Sequence, residues 1–229
     1  MAQSLALLRL VQLADSALPV GGMAHSFGLE SLVEYGLLSP HNLEAFLAGW
    51  LEESGALEAA FCARSCALAH AGPAGFAEWL ELNSRLDARK PAREARDASS
   101  AMARCLVDVA IRAYGDLVLS ELVNSSDGQG RPIHYAACFG YVAGRLEISG
   151  CHAIPAFLHQ SVAGLISACQ RLMPLGHIEA QAILFHLKPR IVRAAACAME
   201  ADVQVPSCAP LLEIGSMTHP RLGTRLFIS

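Results

Sequence analysis

Nine histidines and eight cysteines offer most of the reactive chemistry in this 229-residue chain, and their spacing decides what they can do. The histidines stand at 25, 41, 70, 134, 152, 159, 177, 186 and 219. No two share the i, i+4 spacing that sets a pair of imidazoles on one metal ion. Cys151-His152 is the tightest mixed pair, but adjacent helical residues point about 100° apart and chelate poorly. Cys62 and Cys66 do share a helical face, yet Phe61, Ala63 and Ala67 around them read as core packing. Glu52-Glu53 is the one adjacent acidic pair, with no base in register beside it. The chain holds no G-x-x-x-x-G-K-[ST], no H-E-x-x-H and no G-x-S-x-G. Its most specialised stretch is "SALPVGGMAHSFGLE", residues 16–30. No strand pattern precedes it and no lysine follows to reach a phosphate, so it makes a poor nucleotide cradle. Two readings stay open: a turn and helix start shaped for a protein partner, or an internal corner burying Pro19 and Phe27.

The bulk numbers set the frame for these residues. Apolar residues make up 53% of the chain and aromatics only 6%, so a sizeable core must be built from Leu, Ala, Val and Ile. Leu and Ala favour helix. A net charge of −4 gives no basis for binding nucleic acid or an anionic membrane. The eight cysteines include no C-x-x-C pair and most lie in apolar stretches, which predicts reduced thiols in a cytoplasmic protein. The apolar run Leu5–Leu13 contains Arg9 and follows no basic segment, unlike a signal peptide. Ile154–Met173 is interrupted by His159, Gln160 and Arg171, unlike a membrane span.

Helical periodicity runs through almost the whole chain. It predicts helices over 4–15, from a Ser26 cap to Gly36, and from Ser39-Pro40 onward. Leu43, Phe46, Leu47, Trp50 and Leu51 share one face, and Ser54-Gly55 marks a kink. The pattern resumes through Leu57, Phe61 and Leu68, stops at Gly72-Pro73, and returns with Phe76, Trp79, Leu80 and Leu86. It continues over 101–114, 117–123, the segment "HYAACFGYVAGRLEI", 154–173 and 177–200, the last kinked by Pro189. "NSSDGQGRP", 124–132, is the strongest loop signal, and 202–229 loses periodicity. The expected fold is all-α: a compact single-domain bundle of about nine or ten helices over 1–229, with a C-terminal tail from 202.

Three ordered segments resemble the UreF family of urease accessory proteins. The first is "LLRLVQLADSALPVGGMAHSFGLESLVEYGLL", carried by Leu13, Ser16, Pro19, Gly21, Ser26, Gly28, Leu29 and Glu30. The second is "RLMPLGHIEAQAIL", and the third is the end, "APLLEIGSMTHPRLGTRLFIS". The likeness spans about residues 7–229. Departures include Met23 in place of an aromatic, His177 for glutamine, and Pro220, Gly223 and Ile228 in the tail.

The resemblance implies a helical, non-enzymatic, homodimeric adaptor without a cofactor. It would join a UreD/UreH-type accessory protein to a UreG-type GTPase for GTP-dependent nickel insertion into apo-urease. It also implies the partner-binding residues. These are Pro19, Gly21, His25, Ser26, Gly28 and Glu30 in the first motif, and Arg171, Pro174 and Gly176 in the second. The tail adds Met217, His219, Arg225, Leu226 and Phe227. A tail of this kind is expected to bind the UreD-type partner, and its deletion from 216 onward to leave the core folded. Arg171 reads either as a charge closing its helix or as a residue acting on the GTPase. Rival readings are a nickel carrier using Cys and His, an all-α enzyme, and a scaffold unrelated to urease.

Overall fold

The computed structural model describes residues 2–71, 74–128, 130–201, 203 and 207–229. Eleven α-helices and no strand occur among them: α1 (Ala2–Leu13), α2 (Leu29–Glu34), α3 (Leu43–Trp50), α4 (Ala56–Leu68), α5 (Ala74–Ala88), α6 (Arg93–Tyr114), α7 (Leu117–Gly128), α8 (Tyr135–Arg145), α9 (Gly150–Leu172), α10 (His177–Glu200) and α11 (Pro210–Thr218). A π-helical turn, Leu51–Gly55, joins α3 to α4 without a break. Counted as continuous rods, the helices number ten, the upper end of the expected range.

The π turn sits where Ser54-Gly55 predicts a kink. The ring of Trp50 lies 3.0 Å from where a Gly55 Cβ would stand, so the wide turn closes over an indole and needs a bare α-carbon. Leu43, Leu47 and Leu51 line one face and are fully buried, as their spacing requires.

α8 forms the centre, packed on α4, α6 and α9. All of Tyr135–Gly144 is buried, so this helix has no solvent face. It approaches α4 through Gly140 and Gly144, which lie against the backbone of Cys62 and Cys66. Cys62, Cys66, Cys138 and Cys169 are buried free thiols and act here as small apolar fillers, whereas Cys105, Cys151, Cys197 and Cys208 are exposed. Burial pushes the Cys62 and Cys138 thiols up, which keeps them protonated and inert. Ser65 ties the crossing together: its hydroxyl donates to the Ala137 carbonyl and accepts the Trp79 indole N–H at 2.7 Å.

Several boundaries differ from the sequence reading. Helix α3 begins at Leu43 rather than at Ser39-Pro40, because the Asn42 side chain takes the Ser39 amide and hydroxyl and closes a turn first. Helix α2 is capped by Gly28, not Ser26. Helix α6 starts at Arg93, eight residues before the periodicity that predicts a helix over 101–114. Helix α7 continues to Gly128 through the first part of the expected loop. Asn, Ser and Asp weaken a helix but do not forbid one. The expected stop at Gly72-Pro73 lies outside the described residues. Helix α10 keeps its expected bounds, 177–200, with Pro189 inside it. The tail is not irregular throughout: α11 and a 3-10 turn, His219–Arg221, lie within it. No helix is long and apolar enough to cross a membrane among the described residues.

Candidate functional site

The three resemblance motifs, far apart in sequence, meet at one end of the bundle. The first supplies a loop and the start of α2. Phe27 and Gly28 both have positive φ, 52° and 89°, so the chain reverses there and aims Glu30 inward. Gly28 also has no room for a side chain. A Cβ there would lie 2.6 Å from the Ser216 amide and 2.8 Å from the Leu212 carbonyl. Gly215 answers it from α11, where an added Cβ would lie 2.7 Å from the Gly28 carbonyl. Two glycines thus let α11 cross α2 at backbone distance.

That crossing brings His219 under Glu30. His219 is fully buried and Glu30 is 7% exposed. The His219 ring has Nε2 2.8 Å from Glu30 Oε2 and Nδ1 2.7 Å from Glu94 Oε2. The amides of Leu226 and Phe227 donate to the two oxygens of Glu30. Arg225 stands 3.6 Å from the other oxygen of Glu94. Burial alone would raise the Glu30 carboxyl. The Leu226 amide, His219 and the Phe227 amide outweigh it and hold the carboxyl below its ordinary value.

The final residues close the clasp. The Ser26 amide donates to the Ser229 carbonyl and the Ile228 amide to Ala24 at 2.9 Å. His25 Nδ1 lies 2.7 Å from the Ser229 hydroxyl. The second motif contributes Arg171, whose guanidinium donates to the Met23 carbonyl and lies over the Phe227 ring, 4.0 Å from its centroid. One cation therefore holds both the N-terminal loop and the tail.

The sequence-predicted residues divide by exposure. Ser26, Gly28, Glu30, His219 and Phe227 are buried, and His25 is half-buried. Pro19, Gly21, Arg171, Pro174, Gly176, Met217, Arg225 and Leu226 are exposed. The motif does form an internal corner, but it buries Ser26, Gly28 and Glu30 rather than Pro19, and leaves Phe27 half-buried. Pro174 and Gly176 form the turn into α10, which Gly176 caps, apart from the clasp contacts.

Two exposed apolar surfaces stand out, one extending the tail residues Met217 and Leu226 and one, on α10, that sequence reasoning missed. On α11, Leu211, Ile214 and Met217 share a face turned to solvent, and in the tail Leu226 and Ile228 point out while Phe227 between them turns in. Met23, against whose backbone Arg171 is anchored, is 57% exposed. On α10, Ile178, Phe185, Val192 and Met199 are exposed at intervals of seven residues, with exposed Ala182, Pro189 and Ala196 between them. A search for heptads rather than for buried faces finds this row. Behind the N-terminal loop lies a cleft of about 890 Å³ lined by Val20, Met23, Phe27, Trp50, Met102 and Leu165. No three His, Cys, Asp or Glu side chains converge on one ion position among the described residues.

The UreF family model matches residues 37–188, between the two halves of the clasp. Full-length relatives extend over both halves. The chain is 34% identical to the urease accessory protein UreF of Trichormus variabilis, with 97% of this chain and 95% of the relative covered. It is 30% identical to the UreF proteins of Actinobacillus pleuropneumoniae serotype 3 (96% and 97% covered) and Haemophilus influenzae strain KW20 (96% and 94% covered).

Proposed function

The chain belongs to the UreF family of urease accessory proteins, and we propose that it works in urease maturation as a non-enzymatic, cytoplasmic adaptor. It joins a UreD/UreH-type accessory protein to a UreG-type GTPase, and through that assembly serves nickel insertion into apo-urease. Residues 1–229 act as one helical unit, with 202–229 as its partner-binding tail. GTP hydrolysis and nickel ligation belong to the other members. The observation that carries this reading is the pinned tail. The fold uses a buried ion cluster, together with the close crossing of α11 over α2, to fix residues 210–229, and the outward face so fixed is apolar: Leu211, Ile214, Met217, Leu226 and Ile228. Such a rigid apolar surface suits a protein partner.

Deleting residues 216–229 does not test this cleanly, because it strips Glu30 of His219 and of two amides and so attacks the fold as well. Outward-facing substitutions do. Met217→Glu with Leu226→Glu leaves every clasp hydrogen bond in place. Co-purification of this variant with the UreD/UreH-type protein is expected to fall roughly tenfold or more, with helix content and melting temperature unchanged. Undiminished co-purification would remove the tail from the contact surface.

The α10 row supports self-association. A seven-residue apolar repeat over 24 residues matches the seam of paired helices, and its occupant in this reading is α10 of a second copy. Phe185→Glu with Val192→Glu is expected to convert the dimer to monomer at micromolar concentration by analytical ultracentrifugation, without loss of fold. A double variant that stays dimeric places the interface elsewhere.

A further inference from the structure

We propose that His219, with both ring nitrogens protonated, is the pin that latches the tail to the body of the protein, and that loss of one ring proton releases residues 219–229. The adaptor reading gives this latch its use, but its chemistry and its test need no partner.

Donors and acceptors around the ring dictate its protonation. Nδ1 and Nε2 of His219 each lie within 2.8 Å of a carboxylate oxygen, one from α6 and one from α2. An ionised carboxylate only accepts, so both nitrogens must donate, and only the imidazolium does so. The alternative, a protonated carboxyl, is opposed at Glu30. Its two oxygens already accept the Leu226 and Phe227 amides, and those bonds with His219 keep the carboxyl ionised below its usual range. The ring is fully buried, so water cannot take over a lost donor.

Charge balance points the same way. The groups facing His219 are Glu30 from α2 and Glu94 from α6, with Arg225 of the tail beside Glu94 and His25 of the N-terminal loop within its field. Two carboxylates balance one imidazolium and one guanidinium. Removing the ring proton leaves an excess negative charge in the cluster and sets a ring lone pair against a carboxylate oxygen. Burial pushes the His25 ring down, and its Nδ1 lies 2.7 Å from the Ser229 hydroxyl rather than from a carboxylate of the cluster. The amides of Leu226 and Phe227, and the Arg171–Phe227 stack, then lose the anchor that fixes them.

The test uses the full chain. Hydrogen exchange, corrected for the intrinsic rate, is followed at Leu226 and Phe227 from about pH 6 to about pH 9. Protection there is expected to fall roughly tenfold or more, while amides of α8 stay protected. Nitrogen-15 spectra at about pH 6 are expected to show both ring nitrogens of His219 protonated. In His219→Gln, tail protection is expected to be low and flat with pH. Unchanged tail protection across the range, a neutral ring at the acid end, or the same pH response in His219→Gln overturns the latch. If His219→Gln does not fold, the wild-type spectra and exchange decide alone.

Discussion

Gly140→Ala is expected to destabilise the fold strongly, although alanine is the better helix former. A Cβ on Gly140 would stand 2.0 Å from the Cys62 carbonyl oxygen, 2.8 Å from the carbonyl carbon and 3.0 Å from the α-carbon. All three are backbone atoms of α4, so no rotamer relieves the overlap. Only separation of the two helices does, and α8 is enclosed on every side. Gly144 repeats the constraint one turn later, where a Cβ would meet the Cys66 carbonyl at 2.5 Å and the Ala69 methyl at 2.6 Å. Overpacking of this kind costs about 3 kcal/mol or more, against roughly 1 kcal/mol gained in helix propensity. The control is Gly164→Ala on α9, where nothing lies within 4 Å of the added carbon. That variant is expected to be as stable as the parent or slightly more so. Urea denaturation of the pair decides the matter: equal midpoints would mean that α4 and α8 do not touch through these glycines.

Glu30→Gln is expected to undock the tail and destabilise the protein by about 3 kcal/mol. Glutamine keeps the shape and one acceptor, but its amide group must face either the Leu226 amide or the Phe227 amide together with His219, donor against donor. His219 also loses one of its two counter-charges while still buried. The pH dependence separates this from simple misfit. A carboxyl held below its ordinary value contributes stability above the unfolded pKa, and that contribution disappears as pH falls through the folded one. The parent is therefore expected to lose stability on acidification through that window, and Glu30→Gln to lack that part of the slope. Limited proteolysis gives the local readout, with cleavage confined to residues after Thr218 in the variant. A tail as resistant in Glu30→Gln as in the parent would show that the carboxylate does not hold it.

Helix class and most helix positions were legible because the periods are local. The row Leu43, Leu47 and Leu51 reports its burial within nine residues of sequence, and Ser54-Gly55 signals the wide turn. The ends were harder to read. Asn42 outcompetes Ser39 through its own side-chain bonds, and no propensity scale separates a helical Ser-Ser-Asp from a looped one. The resemblance marked Glu30, His219, Arg171 and Phe227 one by one, but not their meeting. Glu30 and His219 lie 189 residues apart, Met23 and Arg171 148. A residual hint existed: a lone acid and a lone histidine, each beside glycines in otherwise apolar segments, Gly28 with Glu30 and Gly215 with His219. Sequence alone also could not read the internal packing at residues 19–30, because Ser26, Gly28 and Glu30 are buried against a tail nearly 200 residues further along the chain.

The clasp has a consequence during synthesis. Glu30 leaves the ribosome 189 residues before His219, an interval of roughly 10–40 s at ordinary elongation rates. Until then a carboxylate destined for the interior has neither its counter-ion nor its two amide donors, so α2 must stay hydrated. The nascent chain can assemble α4 against α8 early, but this end of the molecule can seal only after residues 219–229 have been made.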